Sequence, residues 1–103
     1  MITDALIFLQ SWYASCCNDE WEHSYGVTID TLDNPGWRVK IDLVDTPLTG
    51  VLLDLSMVER TDDDWVQVWS NGIRFEGACG PENLGELLEA FRDFVGNAVS
   101  LAD

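Results

Sequence analysis

Basic residues are scarce in this chain: Lys and Arg number 5 among 103 residues, against 19 Asp and Glu, and the formal net charge is -14. A field of that sign repels nucleic acid and anionic lipid and attracts basic surfaces, which argues against a direct DNA or RNA binder. Long apolar runs are also missing, and no stretch approaches the roughly 18 residues of a membrane span. The apolar segment from Ile2 to Trp12 has neither a basic flank nor a cleavage pattern, so an export signal is not expected and a cytoplasmic location is. Cysteine is limited to Cys16, Cys17 and Cys79. An odd count with two adjacent members does not make a disulfide framework, and reduced thiols are expected.

Histidine is scarcer still, with His23 alone in the run Glu22-His23-Ser24. A Ser/His/Asp set assembled from neighbours along the chain rarely has triad geometry, and there is no nucleophile elbow. Cys16, Cys17 and His23 fall short of the four separated ligands of a structural zinc site. Asp62-Asp63-Asp64 lacks the alternating acids, central Gly and terminal Glu of a calcium loop. Gly77, Gly80 and Gly85 have neither the lysine nor the strand-to-helix setting of a phosphate cradle. No metal or cofactor is expected. Among 19 acids chance carboxylate pairs are inevitable, so they carry no glycosidase signal.

What is present is a globular composition, 47% hydrophobic and 23% charged, sufficient for one domain over residues 1–103. Thr3 is suited to cap a first helix whose core face holds Ala5, Leu6, Leu9, Trp12, Tyr13 and Cys16. That helix should end before the polar run from Asn18 to Glu22. From Tyr25 the period becomes two, and two strands are expected around the turn Asp33-Asn34-Pro35-Gly36. Only pairings that set Val27 against Ile41 and Ile29 against Val39, or the same pairing shifted by two, keep both apolar sets on one face, and the first of these sets Asp30 opposite Arg38. Val51 to Arg60 reads as a less regular third strand with a bulge or an edge position.

Asn71-Gly72 predicts a two-residue type I′ hairpin, with Val68 opposite Phe75 and Trp69 opposite Arg74. The inward set would then be Val66, Val68, Ile73 and Phe75, with Trp65 and Trp69 on the other side of the sheet. A last helix is expected from Gly80-Pro81 to about Val95, with a core stripe of Leu84, Leu87, Leu88, Phe91, Phe94 and Val95. Glu82, Glu86, Glu89 and Asp93 would line its outer face. The fold class is therefore α+β: an antiparallel five-stranded meander sheet with an N-terminal and a C-terminal helix packed on one face.

Five tryptophans in so short a chain are conspicuous. Trp12 and Trp37 sit in core phase, whereas Trp65 and Trp69 fall out of phase beside Asp62, Asp63 and Asp64. Aromatics with a polar edge are overrepresented among interface hot spots. The plainer alternative has Trp69 stacking on Arg74 to shield the outer sheet face.

Several strings occur together: Trp12-Tyr13-Ala14-Ser15, Trp21-Glu22-His23-Ser24-Tyr25-Gly26, Thr31-Leu32-Asp33-Asn34-Pro35-Gly36-Trp37, Asp63-Asp64-Trp65-Val66, and Gly80-Pro81-Glu82-Asn83-Leu84 ahead of Glu86-Leu87-Leu88. In order and spacing, from Leu9 to Phe94, they resemble immunity protein family 53 of bacterial polymorphic toxin systems. The resemblance implies an α+β protein, encoded beside a toxin gene, that binds and neutralises the toxin and has no enzymatic activity. A charge of -14 suits a basic partner such as a nuclease. The candidate contacts are Asp62, Asp63, Asp64, Trp65 and Trp69, then the loop residues Asp19, Glu20, Trp21, Glu22 and His23. The free protein is expected to be a monomer or a weak homodimer. Two other readings stand beside this one: a small hydrolase or metal-dependent enzyme built on His23, and a nucleic-acid mimic presenting the stripe Glu82, Glu86, Glu89 and Asp93.

Overall fold

A computed structural model describes residues 4–102, which form three helices and one sheet. Helix α1 covers Asp4–Cys16, a short α2 covers Trp21–Ser24 and α3 covers Leu84–Ala102. The strands are β1 (Val27–Leu32), β2 (Gly36–Asp42), β3 (Leu52–Thr61), β4 (Asp64–Asn71) and β5 (Arg74–Cys79). Residue Thr3, expected as a cap, lies outside the described residues.

The five strands are antiparallel, as the alternating patterns require, but their spatial order is β1-β2-β5-β4-β3 and not the sequential order of a meander. Pairing of β1 with β2 takes the first of the two expected registers, Val27 with Ile41, Ile29 with Val39 and Asp30 with Arg38. Strand β5 then inserts beside β2, with Ile41 opposite Phe75 and Trp37 opposite Cys79. Consequently the chain from Leu43 to Val51 must cross one end of β5 and β4 to start β3 on the far edge. Its Leu43 and Leu48 side chains are buried, and Thr46 and Thr49 donate to the Leu43 carbonyl at 2.7 and 2.6 Å.

That crossing also explains why Asn71-Gly72 does not form a two-residue hairpin. The Ile73 and Gly72 carbonyls accept from the Leu43 and Gly50 amides at 2.8 Å, so the turn's backbone faces the crossing segment. Only Gly72 takes positive φ (88°), while the Asn71 carboxamide oxygen accepts from the Ile73 and Arg74 amides at 3.0 and 2.9 Å. The wider turn sets Ser70 opposite Phe75, Val68 opposite Gly77 and Trp69 opposite Glu76, a two-residue shift from the expected register. A shift of two preserves the faces, so Val66, Val68 and Phe75 remain buried. Ile73, lifted out of the ladder, is 58% exposed and is not a core residue.

Both long helices lie on one face of the sheet. Phe91 of α3 is the hub: its ring lies 5.1 Å from those of Phe75 and Trp12 and 6.2 Å from Phe8. Leu84, Leu87, Leu88, Phe94 and Val95 complete the expected stripe, fully or partly buried. Two boundaries differ from expectation. Pro81 and Glu82 form a turn ahead of α3, whose first backbone bond runs from the Leu87 amide to the Asn83 carbonyl, so Glu82 is not on the helix. Past Gly96 the helix continues to Ala102 because Ala98 still finds the core to pack against. On α1 the buried stripe is narrower than expected, Ala5, Leu9 and Trp12, with Leu6 and Tyr13 more than a third exposed. The cause is that α1 leans on α3 through Phe8 and Trp12 and is covered on that side.

Candidate binding surface

The candidate residues separate into two groups at opposite ends of the sheet. Asp62 and Asp63 form the exposed β3–β4 turn, at the same end as the turn before Gly36 and the turn after Cys79. The loop of Asp19, Glu20, Trp21, Glu22 and His23 lies at the other end, where the Trp21 indole donates to the Val44 carbonyl at 2.8 Å. The seven-residue strand β2 runs from one end to the other, a separation of roughly 20 Å.

At the first end Asp63, Asp64, Glu82 and Asn83 line a cleft of about 670 Å³ with Pro35 and Pro81. Asp64 is not free there. Arg60 holds it with two hydrogen bonds, at 3.0 and 2.8 Å, and reaches Glu86 at 2.5 Å. Asn83 donates to both carboxylates, at 2.8 and 3.1 Å. The Arg60 hydrogen bonds, helped by Asn83, hold the Asp64 and Glu86 carboxyls below the usual carboxylate range. This four-residue network clamps β3, β4 and the start of α3 together, and Asp33, Asp62, Asp63 and Glu82 are exposed acids of that end outside it.

At the second end the loop is organised for its own sake. The Asn18 carboxamide oxygen accepts from the Glu20 and Trp21 amides, and the Glu22 carboxylate accepts from the Asn18 and Asp19 amides at 2.9 and 2.8 Å. The Glu22 backbone N–H and those two amides lower its pKa. Asp19 sits at φ 75°, a conformation Asp and Asn tolerate. These bonds start α2, an element absent from the sequence expectation, and roll Trp21 into the core. It is 4% exposed, with its ring 6.1 Å from Trp12 and 6.0 Å from Tyr13, so among the candidates Trp21 is a core residue. Asp19, Glu20 and His23 are exposed. Among the described residues the His23 side chain forms no hydrogen bond with Ser24 or a carboxylate, and no three His, Cys, Asp or Glu side chains are placed to hold a metal ion.

Trp65 and Trp69 are half-buried on the sheet face that the helices leave uncovered, as their phase predicts. Arg74 is not stacked beneath Trp69 in the ladder; it donates to Asp42 at 3.2 Å, while Trp69 stands opposite Glu76. The uncovered face has two halves. Its β2–β5 half is charge-balanced, with the pairs Arg38–Glu76 and Arg74–Asp42 beside Lys40. Its β3–β4 half is largely apolar, with Asp54 and Glu59 as its acids: Trp69, Leu53 and Leu55 line a groove of about 480 Å³ with Asp54 and Gln67, Met57 adjoins Gln67 and Glu59 stands opposite Trp65.

Arg60 and Arg92 are also committed, Arg92 to Glu89 at 3.6 Å, so most carboxylates have no cation beside them. The uncompensated charge therefore lies at the ends, at Asp54 and Glu59 of β3 and at Asp93 of α3, away from the balanced half-sheet.

The model of the family described as Immunity protein 53 matches residues 6–96 of the 103. The chain belongs to that family. No curated protein and no solved structure matches it. An immunity protein has a cognate toxin as its partner, and the chemistry to look for is therefore that of a protein interface. The sequence candidates include the indoles and the β3–β4 acids but not Leu55, Met57 and Val58, which the structure leaves about half exposed or more on β3. Their signal was the irregular run Leu52-Leu53-Asp54-Leu55-Ser56-Met57-Val58, too apolar for a strand with one solvated face. No described helix is long and apolar enough to cross a membrane.

Proposed function

We propose that this immunity protein neutralises its toxin by direct binding in the cytoplasm of the producing cell, and that the toxin presents a basic surface of the kind a nuclease uses on nucleic acid. The observation that carries the reading is the unpaired carboxylate excess: Asp62, Asp63 and Glu82 are exposed at one end of the sheet, next to Trp65 and the apolar half-sheet that continues to Trp69. Carboxylates steer a basic partner and raise the association rate; desolvated indoles slow dissociation. The protein acts as an inhibitor and not as an enzyme.

The test is titration of the protein against a catalytically inactive form of the toxin domain encoded by the adjacent gene, across salt concentrations. Asp62→Lys with Asp63→Lys should weaken binding about tenfold at low salt and flatten its salt dependence, with melting unchanged. Asp64 is left intact because its loss would unclamp β3. Equal affinity of the double variant at low salt would remove the acidic end from the interface.

A further inference from the structure

We propose that the toxin docks by adding a strand to β3, and that this strand alternates basic residues toward α3 with apolar residues toward the uncovered face. The inference rests on the proposed inhibitory binding and specifies how it is achieved.

Strand β3 is ten residues long and closes the sheet with a free edge of roughly 33 Å. Such an edge offers unpaired N–H and C=O groups to any incoming strand, and sheets ordinarily guard it with lysine, proline or brevity. Lysine, proline and brevity are all absent between Leu52 and Thr61; the irregularities between Leu53 and Ser56 and between Glu59 and Thr61 guard its ends and leave Ser56 to Glu59 as the regular stretch that an added strand can pair with. The opposite edge, β1, is only six residues long. Within β3 Leu55 is 62% exposed, Met57 51% and Val58 47%, and every residue except Leu53 is open to solvent.

The two sides of this edge differ in chemistry. On the helix side, α3 stops short of β3 and leaves a groove of about 210 Å³ whose floor is Val58, Val66, Val68 and Ala90 and whose rim carries Glu86, Glu89 and Asp93. Glu86 is held by Arg60, Glu89 has only a 3.6 Å contact with Arg92, and Asp93 has no ion-pair partner among the described residues. On the other side Leu55 and Met57 adjoin the Trp69 groove. Since successive side chains of a strand alternate between faces, an added strand would set every second residue against Glu89 and Asp93 and the others against Leu55 and Met57. Long basic side chains fit the first position, apolar stem on the valines and charge on the rim.

Charge decides between occupants. A second copy would bring another -14 and its own Glu89 and Asp93 to the same edge. A basic segment is attracted by both rims and meets the apolar strip without penalty.

Amide hydrogen exchange, resolved by residue, on the complex with the inactive toxin domain tests this. Alternate amides of residues 52–61 should slow at least tenfold on binding, with residues 27–32 unchanged. Glu89→Lys with Asp93→Lys should weaken binding about tenfold at low salt while melting stays that of the wild type. If the toxin domain binds and the amides of 52–61 are unaffected, strand addition is wrong and the inhibitory reading survives. Failure to bind at low salt removes both. If the free protein protects 52–61 in step with dimer formation by sedimentation, the occupant is a second copy and the proposal is overturned.

Discussion

Replacing Trp21 separates a core role from a contact role at a residue that the sequence places among the binding candidates. Its indole is 4% exposed, contacts the rings of Trp12, Tyr13 and Tyr25, and donates to the Val44 carbonyl. Truncation of a buried Trp to Ala costs about 3–5 kcal/mol, a large part of the ~5–15 kcal/mol that holds a domain of this size. At roughly 4 °C or more per kcal/mol, the melting temperature of Trp21→Ala should fall by at least about 12 °C. Trp21→Phe keeps most of the ring volume and leaves the Val44 carbonyl without its donor, for a loss of about 1–2 kcal/mol. Thermal and urea denaturation read both losses, and binding to the inactive toxin domain, measured cold on the folded fraction, should change less than threefold for Trp21→Phe. Wild-type melting of Trp21→Ala together with lost toxin binding would refute the core assignment.

The Arg60 network predicts a pH dependence. Asp64 and Glu86 have folded pKa values below their unfolded ones, so their contribution is complete above the unfolded pKa of ~4 and is lost as pH falls through the folded value. Arg60→Met should therefore reduce the stability lost between about pH 5 and pH 3, and NMR titration should show both carboxyls rising; unmoved titrations would refute the network. Gly36→Ala should destabilise strongly, by more than about 2 kcal/mol in urea denaturation, because a Cβ there would stand 2.2 Å from the Cys79 backbone carbonyl where β2 meets β5. A wild-type midpoint would show that the two strands separate easily at that end.

Legibility in the sequence followed the range of the interaction. The β1–β2 hairpin was readable to within a two-residue choice of register because the turn residues and both apolar sets lie within some fifteen positions, and the structure takes the one with Asp30 opposite Arg38. The α3 stripe and the irregular, edge-like β3 were readable for the same reason. Asn71-Gly72 misled because its local preference was outweighed by the segment from Leu43 to Val51, which takes the turn's carbonyls as acceptors. The loop from Asn18 to Glu22 looked like solvated polar residues, yet its side chains cap its own backbone and bury the indole that follows. Trp65 and Trp69 were placed correctly by phase alone, since a two-residue register shift does not change the face.

The order of residues determined the two long helices and the five strands, the local pairing of β1 with β2, the face of each tryptophan on β4 and the acidic field, because each depends on period, turn chemistry or simple counting. Tertiary structure alone decided that β5 lies between β2 and β4, that Asp64 and Glu86 share Arg60, and that β3 is left at the rim beside an acid-lined groove. Those outcomes come from segments far apart in the chain competing for one core and one set of backbone partners, and no local pattern records who wins.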